Sequence, residues 1–396
     1  MLRTTPFHPR TAPLCESHAW RRWSGYVVAS SYELVHEREY HAIRSSAGLL
    51  DICPLYKYRV TGPDAVRLLD RVVTRNVARS TPGQVLYTCW CDASGKVIDD
   101  GTVARLSEDT FSMTSADPNL RWLEDNSTGL DVGVEDVSEN LAALALQGPS
   151  SRAILQTLTD FDMASIRYFR VVSTTLGRIP VAISRTGYTG DLGYEIWMQA
   201  QDALSVWDAL IEAGTPYGIT PAGMLALDVA RIEAGLMLMD VDYVSARKAL
   251  TDRQTSTPFE LDLAWTVSAD KENFVGSGAL AAERERGPEW QFVGIEIDWD
   301  TLERLYAAVG LAPQLPTAAW RMSVPIYEPG GDQVGYATSG GWSPLLKKYI
   351  ALAHLRSRWA RNGTRIEMEV TVEHQRKRAS GRVVKKPFFD PERKRA

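Results

Sequence analysis

Asp99 and Asp100 stand side by side in a run, residues 96–106, whose other members are largely apolar or small. The run follows a turn at Asp92-Ala93-Ser94-Gly95, itself preceded by a strand-like stretch at 85–90, and the whole reads as a hairpin. Neighbouring strand residues point to opposite faces. Asp100 is therefore expected beside Ile98, Thr102, Ala104 and Leu106, and Asp99 beside Val97, Gly101 and Val103. Both faces are fairly apolar, which marks a central strand, where two acids are out of place. A carboxylate in such surroundings has its charged form disfavoured, and that suits general acid/base work. The plainer alternative is one capping or ion-paired aspartate beside one solvated aspartate.

A second stretch, residues 185–196 (Arg-Thr-Gly-Tyr-Thr-Gly-Asp-Leu-Gly-Tyr-Glu-Ile), holds three glycines within seven residues. Such spacing allows tight turns and close approach of backbone to a ligand. The lysine and spacing of a phosphate loop are missing, and so is the spacing of a dinucleotide fingerprint. Glu195 follows the turn, set among Tyr194, Ile196 and Trp197. It either finds a partner or is costly to bury, unless it is a surface residue at a strand start.

Other chemistries find less support. Cys89 and Cys91 flank Trp90 and share one strand face, but no second Cys/His cluster answers them, and four cysteines in 396 residues are no disulfide framework. The six histidines form no H-x-x-x-H or triad-like grouping. A net charge of −5 argues against nucleic acid as a general partner. The basic residues between 376 and 395 read as a solvated strand edge and tail, with the option that one cation meets an anionic cofactor tail. No run reaches the roughly 20 apolar residues of a membrane span, and residues 1–24 lack the apolar core of a secretory signal, so a cytoplasmic protein is expected.

The elements that must position these groups alternate without a strict βαβ rhythm, which points to α+β. Residues 65–77 have the apolar spacing of an amphipathic helix introduced by Gly62-Pro63-Asp64, and 203–214 and 221–234 read as further helices. Strands are expected at 179–184 and 194–198 around the glycine-rich turn. Past a charged, Gly/Pro-containing stretch at 282–291, short strand-like runs at 292–297, 334–338, 349–354 and 365–372 suit a small β-barrel or sandwich. The expected division is a catalytic region over 1–285, made of two interleaved α+β units, and a C-terminal β-barrel over 290–390.

Seven stretches, in order, resemble the glycine-cleavage T-protein family, which also contains folate-dependent demethylases. They are Ala47-Gly48-Leu49-Leu50-Asp51, Val60-Thr61-Gly62-Pro63-Asp64-Ala65, Gly95-Lys96-Val97-Ile98-Asp99-Asp100, the 185–196 loop, Arg231-Ile232-Glu233-Ala234-Gly235, Leu263-Ala264-Trp265-Thr266-Val267, and the run from Thr338 to Lys348. The resemblance implies a ring of three domains around a folate cavity, with tetrahydrofolate as one-carbon acceptor. It implies Asp100 as the catalytic aspartate and Glu195 as the carboxylate on the pterin ring. Tyr87, Tyr188, Trp265 and Arg231 fall at other cofactor-binding positions, and Leu55 where the family packs an apolar side chain on the ligand. A buried carboxylate suits adjacent pterin N–H donors, and aromatic faces suit a flat pterin or a cationic methyl donor.

Three departures concern the donor half of the site. The family's Ala-Arg-Asp step reads Ala226-Leu227-Asp228, its asparagine after the catalytic hairpin is absent from Thr114-Ser115-Ala116-Asp117, and its His-Met-Gly is replaced by Pro54-Leu55-Tyr56. The expected activity is accordingly transfer of a methyl group from a small onium, amine or aryl ether to N5 of tetrahydrofolate. The alternative is a glycine-cleavage aminomethyltransferase acting on a lipoyl carrier protein.

Overall fold

The computed structural model describes every residue except Met1 and Glu272. Ala65, Leu68, Leu69 and Val72 recur at helical spacing, and all four are fully buried on one face of the helix Ala65–Val72. That helix ends five residues before the expected position. Val73 turns extended and bridges to Trp90, and the Thr74 N–H donates to the Cys89 carbonyl, so the hairpin takes these residues from the helix.

The helix packs on a five-stranded sheet ordered Val85–Cys91, Val97–Arg105, Thr110–Ser115, Tyr56–Thr61, Gly133–Asp136. The second strand carries the aspartate pair and is flanked on both sides, as its two apolar faces require. A six-stranded sheet follows, ordered Val171–Leu176, Ile179–Ser184, Gly193–Gln199, Leu141–Gln147, Ala47–Asp51, Ile219–Pro221. The chain enters this second sheet at Ala47, leaves to build the first, and returns at Leu141, so the two are interleaved. Both are almost wholly antiparallel, the pair Ile219–Pro221 with Ala47–Asp51 being parallel, and this is an α+β arrangement.

A closed barrel of six strands lies C-terminal, ordered Trp290–Ile297, Lys348–Arg356, Gln333–Ser343, Val324–Tyr327, Arg365–Val372, Gln375–Val384. Alternate residues of its strands, among them Ile295, Ile326, Ala351, Met368 and Val383, fill its interior. A small sheet of Arg3–Thr4, Tyr26–Ala29 and Trp20–Trp23 sits at the N-terminal end. No described helix is long and apolar enough to cross a membrane.

Candidate functional site

Within the aspartate hairpin, Asp99 pairs opposite Trp90 while Val97 pairs opposite Cys91, so Ile98 is the extra residue of a β-bulge. Ile98 packs in the same core as Trp90 and Val103, on the Asp99 side. Simple alternation would have put it beside Asp100, and the bulge overturns that expectation. Cys89 and Cys91 share the opposite face, buried as free thiols, and no cluster of three or more metal-ligating side chains occurs among the described residues.

The two acids live in different surroundings. Asp99 is fully buried and accepts from the N–H groups of Asp100 (2.8 Å) and Asp117 (3.0 Å) and from Asn119 Nδ2 (2.8 Å). It ties down the loop after the hairpin. Asn119 also takes the Trp90 indole N–H, at 3.2 Å. Asp100 accepts two hydroxyls, Tyr87 at 2.7 Å on Oδ2 and Tyr243 at 2.5 Å on Oδ1, and forms no ion pair among the described residues. Burial pushes its carboxyl above the usual range, against the pull of the Tyr243 and Tyr87 hydroxyls. Tyr87 stacks on Trp265 with centroids 5.8 Å apart and planes 23° apart, the Arg75 guanidinium also lies over the indole at 5.6 Å, and the indole is 58% exposed. Tyr243, 143 positions from Asp100, had no signal in the sequence.

The glycine-rich loop owes its glycines to Gln147. The Gln147 amide lies against Gly187 and Gly193, where an added Cβ would come within 2.0 and 2.3 Å of Oε1. That amide donates to the carbonyls of Thr186 and Tyr194 and accepts from Thr189, fixing both limbs of the loop. Glu195 pairs opposite Ala145, sharing a strand face with Trp197, and both Ala145 and Trp197 belong to a cluster that includes Leu55, Tyr188 and Leu227. Glu195 Oε2 accepts from Thr186 at 2.8 Å and Ser184 at 3.5 Å, and burial raises its pKa. Oε1 takes no hydrogen bond among the described residues. The surface alternative for Glu195 does not hold.

Tyr188 donates to the Met237 carbonyl. Its hydroxyl pKa is raised by burial, with Arg231 pulling it down and Asp100, Asp242 and Asp228 pushing it up. Arg231 is fully buried and pairs with Asp242 through Nη1, while its Nε and Nη2 have no hydrogen-bond partner among the described residues. Leu55 sits on a loop pinned by the buried Lys57, whose Nζ donates to the carbonyls of Cys53 (2.7 Å) and Leu55 (2.9 Å). It borders a cleft of about 280 Å³ with Tyr26, Pro54 and Tyr56, a cleft that neither Asp100 nor Glu195 lines.

Behind the glycine-rich loop lies a second, ionic assembly. Arg44, with no exposed side-chain surface, donates to Glu233 (2.8 Å), to the Thr189 carbonyl (2.8 Å) and to the Ala230 carbonyl (3.0 Å), and lies 3.6 Å from Asp191. Glu233 also accepts from Tyr40 and from Ser343 of the barrel. Arg393 clasps Asp191 in two hydrogen bonds of 2.7 and 2.9 Å. The basic C-terminal stretch is thus only partly the solvated edge expected. Arg376 is largely exposed, but Arg393 and Lys386 reach acids that precede the barrel, Asp191 and Asp262.

The donors and acceptors fit a folate. Among the described residues Glu195 keeps one oxygen, and Arg231 its Nε and Nη2, without a hydrogen bond, and the Tyr87–Trp265 stack is partly exposed. Residues 8–271 match the GCVT N-terminal domain, and residues 307–390 match the Glycine cleavage T-protein C-terminal barrel domain. The chain is 35% identical to an aminomethyltransferase of Halothermothrix orenii, over 96% of each chain. It is 32% identical to an aminomethyltransferase of Geobacillus thermodenitrificans, over 98% of this chain and 99% of that one. Its fold is similar to that of the glycine cleavage system aminomethyltransferase T from Bartonella henselae, with a TM-score of 0.83 at 24% identity, covering 98% of this chain and 99% of that one. In class this is a tetrahydrofolate-dependent one-carbon transferase, with tetrahydrofolate as acceptor. The chain belongs to the glycine-cleavage T-protein family. These likenesses favour the aminomethyltransferase reading over the demethylase reading that the donor-side departures had suggested.

Proposed function

We propose that this protein is an aminomethyltransferase, passing a one-carbon unit from an aminomethyl-loaded lipoyl carrier protein to tetrahydrofolate, with ammonia and the carrier's free thiol as the leaving groups. The observation that carries the reading is Asp100, a carboxylate held by two neutral tyrosine hydroxyls beside the exposed Trp265 stack, with no ion pair among the described residues. Glu195 and the Tyr87–Trp265 stack would hold the pterin, Glu195 by accepting its N–H groups in charge-assisted bonds. Arg231, Tyr188 and Leu55 complete the proposed cofactor-binding set. Bound tetrahydrofolate supplies the nitrogen that receives the one-carbon unit. Asp100 takes the proton released there, or balances positive charge as it develops. Its raised pKa, set by burial, brings proton acceptance nearer neutral pH. Tyr87 and Tyr243 hold both oxygens in place, so the carboxylate is oriented before the reaction starts.

A second reading, methyl transfer from a small methylated donor, is favoured by Leu227. It is buried where the family step carries arginine, beside an Asp228 that is already ion-paired. Mass spectrometry of the folate product decides between the two. A 5,10-methylene product with a loaded lipoyl carrier supports the first; a 5-methyl product with a small donor supports the second. No folate product with either would refute both.

A further inference from the structure

Asp228, on the helix Met224–Glu233, is only 2% exposed and is surrounded by more cations than it can neutralise. Arg321 reaches Oδ2 through Nε at 2.8 Å and Nη2 at 2.6 Å, and Arg21 reaches the same oxygen at 3.4 Å. Arg231 approaches Oδ1 at 3.6 Å. Counting Asp242, the other partner of Arg231, three guanidinium charges face two carboxylates, and one positive charge is left over. A surplus charge held partly away from water is costly until an anion meets it. Donors remain to meet one. Among the described residues, Arg21 and Arg321 give hydrogen bonds to Asp228 alone.

The cations are positioned by main-chain pairing rather than by each other. Arg21 lies in the strand Trp20–Trp23, opposite Val28. Arg321 follows Trp320, which exchanges hydrogen bonds with Gly340 of the barrel strand Gln333–Ser343. Their side chains are 26% and 28% exposed, so the place is reachable from solvent. Leu227, the neighbour of Asp228, packs in one cluster with the partly buried Trp23, Tyr188, Trp197 and Ala319, so the surroundings are partly apolar.

We infer that Arg21 and Arg321 form a carboxylate-binding site for the one-carbon donor, beside Asp228 and Leu227. This rests on the one-carbon transfer proposed above. It adds a chemical requirement on the donor: a carboxylate, carried either by a small acid or by an acidic side chain of a carrier protein.

The test uses the full-length protein, with benzoate as probe and benzamide as its uncharged counterpart, titrated by calorimetry. Benzoate should bind and benzamide should bind at least tenfold more weakly. Arg21→Gln should weaken benzoate by about tenfold or more, the scale of a hydrogen bond between charged groups. Arg21→Lys should restore part of the loss. Thermal melting shows whether Arg321→Gln, which also loses an ion pair, stays folded, and Arg21→Gln serves alone if it does not. Titrating 5-formyltetrahydrofolate into the same variants keeps the two proposals apart. Unchanged folate binding with lost benzoate binding assigns the defect to the donor side, whereas no folate binding even by the unmodified protein counts against the transfer reaction itself. If benzoate does not bind, the site is reserved for a carrier's acid, and Arg21→Gln must then raise KM for a loaded lipoyl carrier about tenfold. Equal binding of benzoate and benzamide, benzoate binding untouched by Arg21→Gln, or no benzoate binding together with an unchanged carrier KM overturns the inference.

Discussion

The acids of the pocket and the acids behind it are held by opposite means. Asp100 and Glu195 accept only hydroxyls, from Tyr87, Tyr243, Thr186 and Ser184. Asp191 and Glu233, a few residues away in the glycine-rich loop and on the helix behind it, are met by Arg44 and Arg393. A hydroxyl orients a carboxylate and leaves its charge available; a guanidinium neutralises it and fixes two segments together. These four acids therefore divide into two kept for a ligand and two used up in holding the loop.

The largest effect should come from Asp100→Asn, which keeps the size but can neither accept a proton nor present a charge. Turnover should fall by about 10²–10⁴-fold with folate affinity nearly intact. Asp99→Asn is the contrasting variant. It places an amide against N–H donors, so denaturant unfolding should show a loss of about 1–3 kcal/mol while turnover per folded molecule is kept. Equal kinetic damage from the two would erase the distinction between the faces of the strand.

Arg44→Met tests the ionic assembly. It leaves Glu233 and Asp191 short of a buried cation, and stability should drop by about 3–5 kcal/mol in a chemical denaturation series. A stable, fully active variant would show that the loop needs no such clasp. Glu195→Gln should be milder, leaving melting unchanged and weakening folate by about 1.5–3 kcal/mol in calorimetry. Unchanged folate affinity would remove Glu195 from the pocket.

The smallest effect concerns pH. Burial raises the Asp100 carboxyl, and the two tyrosine hydroxyls hold it down. If the ionised form is the active one, turnover declines as pH falls through that raised value, so the acid limb lies above the ordinary aspartate range near 4. Tyr243→Phe removes one of the restraining hydroxyls. The limb should move to higher pH, and turnover at pH 7 should fall about two- to tenfold. A limb that moves to lower pH would contradict the role given to that hydroxyl.

What the sequence made legible follows the range of the forces involved. The hairpin, the helix Ala203–Gly214 and the barrel strand Arg365–Val372 could be read because their apolar periodicity is local. The bulge at Ile98 could not, since it exists only as a count of residues against the partner strand. Asp100 was found through its apolar neighbours and Glu195 through the glycines before it. Tyr243 was missed because a turn residue with no periodicity meets its partner only in the folded state. For the same reason Arg393 read as part of a solvated tail although it is clasped by an acid 202 positions earlier. The strand Val324–Tyr327 was also unforeseen, whereas the strand Gln375–Val384 falls where the basic residues read as a strand edge.

The clasp between Asp191 and Arg393 also imposes an order in time. Ribosomes deliver Asp191 about two hundred residues before Arg393, together with Tyr188 and Glu195 on the same loop. Until then the loop has its Gln147 wedge, from a neighbouring strand, but not its outer fastening. Contacts this distant in sequence form late, because the entropy of closing so long a loop is lost before the contact can repay it. Pulse-labelled chains should therefore resist proteolysis within the first two sheets well before the glycine-rich loop is protected, and the pocket should be the last part of the newborn molecule to set.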